Sequence, residues 1–322
     1  MTHPPSLVSV FAPATVANVG SAFDVLGFAI DSPGDTITAR RVSTPGVRIT
    51  SIVGDNGRLP MAAEENTAGV SVRALLAAYR ETNPTEASEI GVELELIKGL
   101  PIGSGLGSSS ASTVAAVVAV NELLSSPFAR QDLLPFAMEG ERVACGAAHA
   151  DNVAPSLLGG FVLIRSYEPL DVIPLPSPAE TWVVVVTPAL ELKTSDARRV
   201  LKRSVTLESA IAQWGNVAAL VAGIYRNDIA LMGRSLEDKI IEPERAQLIP
   251  GYAAAKAAAL EVGAVGCSIS GSGPSVFALC RSQEEGVCIA AAMSNAFSQA
   301  GVAATQTVSQ INTTGARITS KE

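Results

Sequence analysis

The sequence predicts an α+β fold, because strand-like and helix-like segments are mixed along the chain and several strands alternate apolar with polar residues. The chain has 322 residues, of which 48% are hydrophobic and 17% charged, so it can bury a sizeable core. This length suits one large domain or two moderate ones. A proline-rich stretch at 169–178 is the best candidate boundary, and it divides the chain into residues 1–168 and 169–322.

In the first half, the elements follow from the spacing of apolar residues. Positions 92, 94 and 96 are apolar and alternate with Glu93 and Glu95, which predicts a strand with one solvent-facing side. Strands are predicted at Leu7–Phe11, Thr36–Arg40, Val47–Val53, Val92–Leu96 and Phe161–Arg165, helices at Glu64–Thr82, Ser112–Leu124 and Gln131–Cys145, and a turn-rich segment at Pro13–Gly27.

The second half has the same mixed character. Trp182–Val186 is rich in β-branched residues, which predicts a strand. Further strands are predicted at Ser275–Cys280 and Thr305–Ile311, and helices at Ser195–Lys202, Ser209–Arg226, Asp228–Leu236, Tyr252–Val262 and Glu284–Gln299. No internal repeat or low-complexity tract interrupts this order, so the α+β prediction extends over the whole chain.

The charge of the chain narrows the classes of partner. The net charge is −8, and the largest basic cluster, Arg198–Arg199 with Lys202–Arg203, is too small for a nucleic-acid footprint. No apolar run has the length of a membrane span, and the N-terminus does not resemble a signal peptide. We therefore expect a cytoplasmic protein that binds small molecules and does not bind nucleic acid or membranes. Because the chain is acidic, any anionic ligand must be bound by positive groups close to it.

The four cysteines do not form a recognisable metal or disulfide pattern. They stand singly in apolar sequence, with no C-x-x-C pair, at Cys145, Cys267, Cys280 and Cys288. We expect buried free thiols.

A glycine- and serine-rich segment, 101–110, lies between a predicted strand and a predicted helix. Glycines at 103, 105 and 107 allow the backbone to curl with its N–H groups pointing inward, and the helix N-terminus adds partial positive charge. Such a loop forms an anion cradle that suits a polyphosphate. It is neither a Walker A loop nor a dinucleotide fingerprint, because no Gly-Lys-Ser/Thr follows and Ser108 replaces the third glycine. The alternative is a flexible turn before a capped helix.

This segment resembles the phosphate-binding loop of the GHMP kinases, P-x-x-x-G-L-G-S-S-A-A, with Ser110 in place of the first alanine. The resemblance implies two α+β domains with ATP and the substrate in the cleft between them. The nucleotide-binding residues that it implies are Pro101, Ile102, Gly103, Ser104, Gly105, Leu106, Gly107, Ser108, Ser109, Ser110 and Ala111, with Asn66 and Lys98 as weaker candidates.

Two further segments resemble family members that act on homoserine. The first comprises 12–20 and 23–27, where the resemblance implies that Asn18 and Asp24 contact the amino-acid substrate. The alternative is a turn that caps a strand. The second comprises Glu141 and the run His149-Ala-Asp-Asn-Val-Ala-Pro155, which places His149, Asp151 and Asn152 at the site. The family has a magnesium-binding glutamate paired with a loop serine, which implies a Mg²⁺ site at Glu141 and Ser109. The alternatives are an exposed helical carboxylate and a structural histidine.

The third glycine-rich motif of the family is similar to 263–275, which implies that this segment packs against the phosphate loop from the second domain. The alternative is a tight helix-to-strand connection. The resemblance extends over nearly the whole chain, to Thr314–Arg317, and family members are often dimers, so we expect a homodimer.

Two arginines complete the expected site. Arg198 and Arg245 match family arginines that bind the substrate. Planar guanidinium groups suit the α-carboxylate of homoserine, and Asp24 or Asp151 can pair with its ammonium group. A neutral sugar would not require two arginines. The alternative for each arginine is a solvated surface charge.

The expected mechanism lacks a general base. Asn152 stands where mevalonate kinase and galactokinase have an aspartate, and an amide cannot accept the hydroxyl proton. We therefore expect catalysis by positioning and electrostatics. The resemblance implies that the product is O-phospho-L-homoserine, for threonine biosynthesis. A kinase for another alcohol and a non-catalytic nucleotide-binding regulator are the alternatives; Ser109 and Glu141 favour catalysis over the regulator.

Overall fold

The computed structural model of the protein describes residues 4–84, 89–146 and 149–322, apart from the side chains of residues 143–145. Its strands are β1 (Leu7–Val19), β2 (Ala22–Val42), β3 (Gly46–Val53), β4 (Gly91–Ile97), β5 (Phe161–Tyr167), β6 (Leu170–Leu175), β7 (Trp182–Pro188), β8 (Gly266–Ile269), β9 (Val276–Cys280), β10 (Ala304–Gln310) and β11 (Arg317–Lys321). The helices named here are α1 (Thr67–Thr82), α2 (Ser108–Leu123), α3 (Leu134–Cys145), α4 (Ala150–Leu158), α5 (Thr194–Arg199), α6 (Leu207–Arg226), α7 (Ile229–Ser235), α8 (Glu242–Arg245), α9 (Tyr252–Glu261) and α10 (Gln283–Gln299). The predicted α+β class is confirmed, and no described helix has the length and apolarity needed to cross a bilayer.

Two sheets contain these strands. The larger has seven strands in the order β11-β1-β2-β4-β3, with β5 paired to β2 and β6 paired to β5. The smaller is antiparallel, with the order β10-β7-β9-β8. Although β6 and β11 follow residue 168, both join the larger sheet. The domain boundary at residue 168 stays a prediction.

The turn-rich prediction for 13–27 is wrong. This stretch continues β1 and begins β2, and only Gly20 and Ser21 lie between the two strands. Its side chains are nearly all buried, and burial outweighs the low strand propensity of its proline, glycine and asparagine residues. The proline-rich stretch also contains an unpredicted strand, β6, which tolerates Pro174 because it pairs on one side only, with β5.

A second difference concerns the segment that contains the predicted His149 motif. The proline and glycine residues that bound this segment predict a loop, but α4 begins at Ala150 and continues through Pro155 to Leu158. Proline suggests a break because it has no N–H to donate, yet burial of most of this short helix holds it in place. The helix presents Asp151 and Asn152 from a fixed backbone.

Helix α2 forms the centre of the first half. Every residue from Ser110 to Asn121 is buried, so the helix packs against β1 and β2 on one side and against α1, α3 and α4 on others. A helix that is apolar all round requires burial on all sides. Its N-terminus, at the end of the glycine-rich segment, is therefore fixed in direction.

The two sheets meet through aromatic side chains. Phe28 of β2 lies 4.8 Å from Phe161 of β5 and 5.8 Å from Phe277 of β9, measured between ring centroids. The first contact lies within the larger sheet, and the edge-on contact with Phe277 joins the larger sheet to the smaller one.

The cysteine prediction is partly confirmed. Cys267 and Cys280 are free and buried, but Cys288 is exposed, because it lies on the outer face of the amphipathic helix α10. The side chain of Cys145 lies outside the described residues.

A buried ion pair connects three elements beneath the glycine-rich segment. Lys98, which follows β4, pairs with Asp35 of β2 and donates to Ser112 Oγ of α2 at 2.7 Å and to Ser108 O at 2.8 Å. Asp35 also accepts from the backbone N–H groups of Gly99 and Leu100 at 3.0 and 3.2 Å. Because every donor of the ammonium group has a partner, the pair meets the conditions for a stable buried charge.

Asp35→Asn should lower the free energy of unfolding by about 3–5 kcal/mol, because it leaves the buried Lys98 ammonium without a counter-charge. Urea denaturation would measure the loss. Asp132→Asn, at an exposed carboxyl, is the matched control and should change stability by no more than about 0.5 kcal/mol. Equal effects in the two variants would contradict the role assigned to the pair.

Candidate active site

A cleft of about 560 Å³ collects most of the predicted site residues. Those that line it are Asn18, Asp24, Asn66, Lys98, Ile102, Gly103, Ser104, Gly105, Gly107, Ser108, Ser109, Ser110, Glu141, His149, Asp151, Asn152, Arg198 and Arg245. Three predicted nucleotide contacts do not line it. Leu106 and Ala111 are buried in the core, and Pro101 borders a neighbouring depression.

The glycine-rich segment curls as predicted. Gly103, Gly105 and Gly107 have φ values of +71°, +80° and +66°, in the left-handed region that favours glycine. Gly107 caps α2 without a side-chain hydrogen bond. The first N–H groups of α2 therefore have no side-chain partner at the cap, and together with the helix dipole they form an anion site.

The turn between β8 and β9 holds this loop from the other side. Ser270 Oγ donates to Gly105 O at 2.8 Å, and Ser275 N donates to Ser104 O at 3.1 Å. A Cβ on Gly105 would lie 2.6 Å from the carbonyl oxygens of Ser270 and Gly273, so only glycine fits. The expectation that the third motif packs against the phosphate loop is confirmed.

Glu141 of α3 is a buried carboxylate that faces the start of α2. Burial raises its pKa, while the nearby Ser109 and Ser110 hydroxyls and the Lys98 charge act in the opposite direction. Its Oε1 has no hydrogen-bond partner among the described residues. An orphaned carboxylate oxygen beside a hydroxyl is a hard oxygen donor set, which fits Mg²⁺.

Asn66 and Lys98 line the cleft but already have local partners. Asn66 caps α1, where its Oδ1 accepts from Ala68 N at 3.0 Å and its Nδ2 donates to Pro60 O at 2.9 Å. The Lys98 ammonium is engaged in the buried pair with Asp35. Both side chains therefore stabilise the wall of the cleft through partners in the protein itself.

Asp24, His149 and Asp151 line the same cleft and approach one another, so that one side-chain oxygen or nitrogen of each lies within 4.8 Å of those of the other two. Burial, and then the charge of Asp24, raise the pKa of Asp151 to about 7. The pKa of His149 is lowered by burial and by the charge of Arg198. One oxygen of Asp151 and Nε2 of His149 have no partner within the described ranges, so this cluster can accept a ligand donor.

The two predicted arginines converge on the same region. Arg198 donates to the Asp24 carboxylate at 2.8 Å, whereas the buried Arg245 donates to Gly271 O at 2.8 Å and has no ion-pair partner in the described part of the chain. Burial, followed by the charge of Arg198, lowers the pKa of Arg245 to about 10. A buried cation paired only with carbonyl groups favours an anionic ligand.

Sequence reasoning missed Phe23, whose ring contacts both arginines. Its ring centroid lies 5.4 Å from Cζ of Arg198 and 4.9 Å from Cζ of Arg245. Cation–π contact with both guanidinium groups holds them at fixed positions despite their like charge. In the sequence, Phe23 was marked as a candidate only by its position in the segment 23–27, which carries part of the family resemblance.

The remaining predicted residues are held by backbone and neighbouring groups. Asn18 has a φ of +55°, accepts from Asp24 N and donates to Gly271 O, both at 2.8 Å. Asn152 Oδ1 accepts from Thr15 Oγ1 at 2.8 Å, and both atoms would clash with a Cβ on Gly107. Thr15, also missed from the sequence, therefore connects Asn152 to the glycine loop.

Comparisons with known proteins identify the family of this chain. The family model described as the GHMP kinase N-terminal domain matches residues 70–160, and the C-terminal model matches residues 220–299. The homoserine kinase of Chlorobium phaeobacteroides is 52% identical, covering 90% of this chain and 92% of the relative. That of Chlorobaculum tepidum is 50% identical, with coverage of 97% and 98%.

Solved structures give the same result. A crystal structure of homoserine kinase from Cytophaga hutchinsonii has a TM-score of 0.93 and 53% identity, covering 99% of each chain. L. major mevalonate kinase in complex with R-mevalonate has a TM-score of 0.71 at 14% identity, covering 97% of this chain and 99% of that one, which shows the shared fold alone. With both family models matched and relatives about half identical over nearly its full length, the chain belongs to the GHMP kinase family.

Proposed function

We propose that the protein transfers the γ-phosphoryl group of ATP to the side-chain hydroxyl of L-homoserine, forming O-phospho-L-homoserine. The full-length relatives at about half identity carry this activity in their names. One observation of the structure carries the proposal: a single cleft contains both an anion cradle, at the start of α2, and a pair of arginines beside carboxylates. This arrangement matches a polyphosphate donor and a zwitterionic acceptor.

The glycine loop would hold the phosphates. The N–H groups at the start of α2 would supply donors and partial positive charge, and the Ser109 hydroxyl would supply a further donor. This local potential compensates for the net charge of −8 on the whole chain.

Glu141 and Ser109 would hold Mg²⁺. The partnerless Glu141 oxygen and the neighbouring hydroxyl provide the oxygen ligands that this ion prefers. When bound, the ion neutralises phosphate charge.

The acceptor amino acid would be oriented by its two charges. Arg245, which has no described ion-pair partner, and the free Nε of Arg198 would bind the α-carboxylate. Asp24 and Asp151 would bind the ammonium group. Fixing both charges orients the α-carbon and limits the directions that the side-chain hydroxyl can take, and such positioning accounts for much of the rate in phosphoryl transfer.

No general base is required in this proposal. Asn152 is held by Thr15 beside the glycine loop, and its amide cannot act as a base. The hydroxyl proton would pass to phosphate or solvent while Asn152 orients the reacting groups.

Three further features remain proposals. We propose that the protein acts in threonine biosynthesis, as its proposed product implies, and that it works in the cytoplasm. A homodimer follows from the resemblance to family members.

Release of ADP in the presence of Mg²⁺-ATP tests the proposed reaction. L-homoserine should support turnover, whereas D-homoserine, L-serine, L-threonine, mevalonate, galactose and shikimate should not. Turnover with another alcohol would contradict the substrate assignment, and ATP binding without turnover on any alcohol would contradict the proposed catalysis.

Arg198→Lys and Arg245→Lys should each raise the KM for L-homoserine at least about tenfold, because an ammonium group cannot form paired hydrogen bonds to a carboxylate. The KM for ATP should stay within about twofold. The control is Arg199→Lys, an exposed neighbour of Arg198, which should leave both constants unchanged. A rise in the KM for ATP alone would oppose the assignment.

The ratio kcat/KM for L-homoserine should fall as the pH drops below about 7, because Asp151, whose pKa is raised to about 7, then gains a proton and loses its attraction for the ammonium group. Above that pH the carboxylate is charged and the ratio should level off. His149 has a pKa below its usual value, so its titration lies at lower pH.

Asp151→Asn should remove this dependence and raise the KM, with kcat changed less, and Asp132→Asn should preserve it. If Asp151→Asn abolished kcat at unchanged substrate affinity, Asp151 would be a general base and the positional mechanism would be wrong.

A further inference from the structure

Asp24 has a left-handed backbone that the larger sheet does not stabilise. Its φ is +60°, a region that aspartate enters more readily than most residues but that is still unfavourable for a side chain with a Cβ. It lies between the paired residues Ala22 and Gly27 of β2, where the register with β1 shifts. Because regular strand pairing does not hold this residue, the direction of its carboxylate depends on other groups that bind its backbone.

Two side chains from neighbouring strands bind the backbone of Asp24. Asn18 Oδ1 of β1 accepts from its N–H at 2.8 Å, and Tyr167 Oη of β5 donates to its carbonyl oxygen at 3.0 Å. Tyr167 lies close enough because β5 continues beyond its last pair with β2, which joins Leu163 to Leu26. The two hydrogen bonds together stabilise the left-handed conformation.

The Tyr167 hydroxyl also lies beside the start of α4. Burial, and then the charges of Asp151 and Asp24, raise the pKa of this hydroxyl, so that it keeps its proton and donates to the Asp24 carbonyl group. The backbone N–H of Ala150 acts on the same hydroxyl as a hydrogen-bond donor. Because His149 provides no side-chain cap for α4, this N–H depends on a partner from another element. One hydroxyl therefore connects the segment that carries Asp24 to the segment that carries Asp151.

This connection matters because the ammonium group of the substrate would lie between Asp24 and Asp151. The energy of a charge in such a site varies with its distance from each carboxylate, and the effect is strong where the groups are buried. Tyr167 itself does not line the cleft, so it acts on a ligand there only through the residues that it holds.

We propose that Tyr167 is a positioning residue for the amino-acid substrate, whose hydroxyl fixes the Asp24 backbone beside the start of α4 and so sets the ammonium subsite. This inference rests on the proposed function. The carboxylate of the substrate should depend on Tyr167 much less. Its proposed ligand Arg198 pairs with Asp24 but is also held by the ring of Phe23 and by His149 Nδ1, at 3.2 Å.

Tyr167→Phe removes the hydroxyl and keeps the ring. The KM for L-homoserine should rise about fivefold to twentyfold, with kcat and the KM for ATP within about twofold, because the Asp24 carbonyl group loses its donor. With 4-hydroxybutanoate, which lacks the ammonium group, kcat/KM should stay within about twofold. The control Tyr225→Phe removes the hydroxyl of an exposed tyrosine and should leave these constants unchanged. Circular dichroism and the melting temperature would verify that each variant folds.

A double variant measures whether Tyr167 acts through Asp24. Asp24→Asn alone should raise the KM for L-homoserine, and adding Tyr167→Phe should raise it by a smaller factor than in the wild-type background, because both residues serve one subsite.

The outcomes separate this inference from the proposed function. A wild-type protein that does not phosphorylate L-homoserine would overturn both. If the wild-type protein is active, the inference alone would be overturned by an unchanged KM in Tyr167→Phe, by an equal loss with 4-hydroxybutanoate, or by factors that simply multiply in the double variant.

Discussion

The site depends on the close approach of two backbone segments, the glycine loop before α2 and the turn between β8 and β9. Gly105 lies so near the carbonyl oxygens of this turn that no side chain fits, and Ser270 donates across the gap. The contact joins the two sheets where the cleft opens. The buried pair of Lys98 and Asp35 also fixes the loop to the larger sheet, since it bonds to Ser108 and Ser112 at the start of α2. With both sides held, the N-terminus of α2 faces the cleft with its N–H groups preorganised.

The same cleft also contains two arginines and two aspartates, and its binding properties depend on how their charges are paired. Arg198 is neutralised by Asp24, Arg245 is buried without a described carboxylate partner, and Asp151 is buried close to the charge that raises its pKa. Two of these groups lack a partner of opposite charge: the Arg245 guanidinium lacks an anion, and the Asp151 carboxyl lacks a cation. In the proposed complex an α-amino acid would supply both charges, so an acidic protein would be able to bind a zwitterion and a polyphosphate in one cleft.

The spacing of apolar residues predicted β4 and α2, and the spacing of glycines predicted the curled loop, because such spacing reflects local geometry. The other residues that converge on the cleft were expected from the resemblance to the GHMP kinases. It failed at 13–27 and at α4, where burial overrides turn-forming residues. It could not find Asp35, whose partner is 63 residues away, or Phe23, whose importance depends on the two arginines that the fold brings to its faces.

The most direct test of this account compares three substrates that share the reacting hydroxyl. L-homoserine carries both charges, 4-hydroxybutanoate lacks the ammonium group, and 3-aminopropan-1-ol lacks the carboxylate. If opposed charges in the cleft position the hydroxyl, kcat/KM should fall at least about a hundredfold for each analogue, since each leaves buried charged groups unpaired. Comparable kcat/KM values for L-homoserine and either analogue would contradict the account.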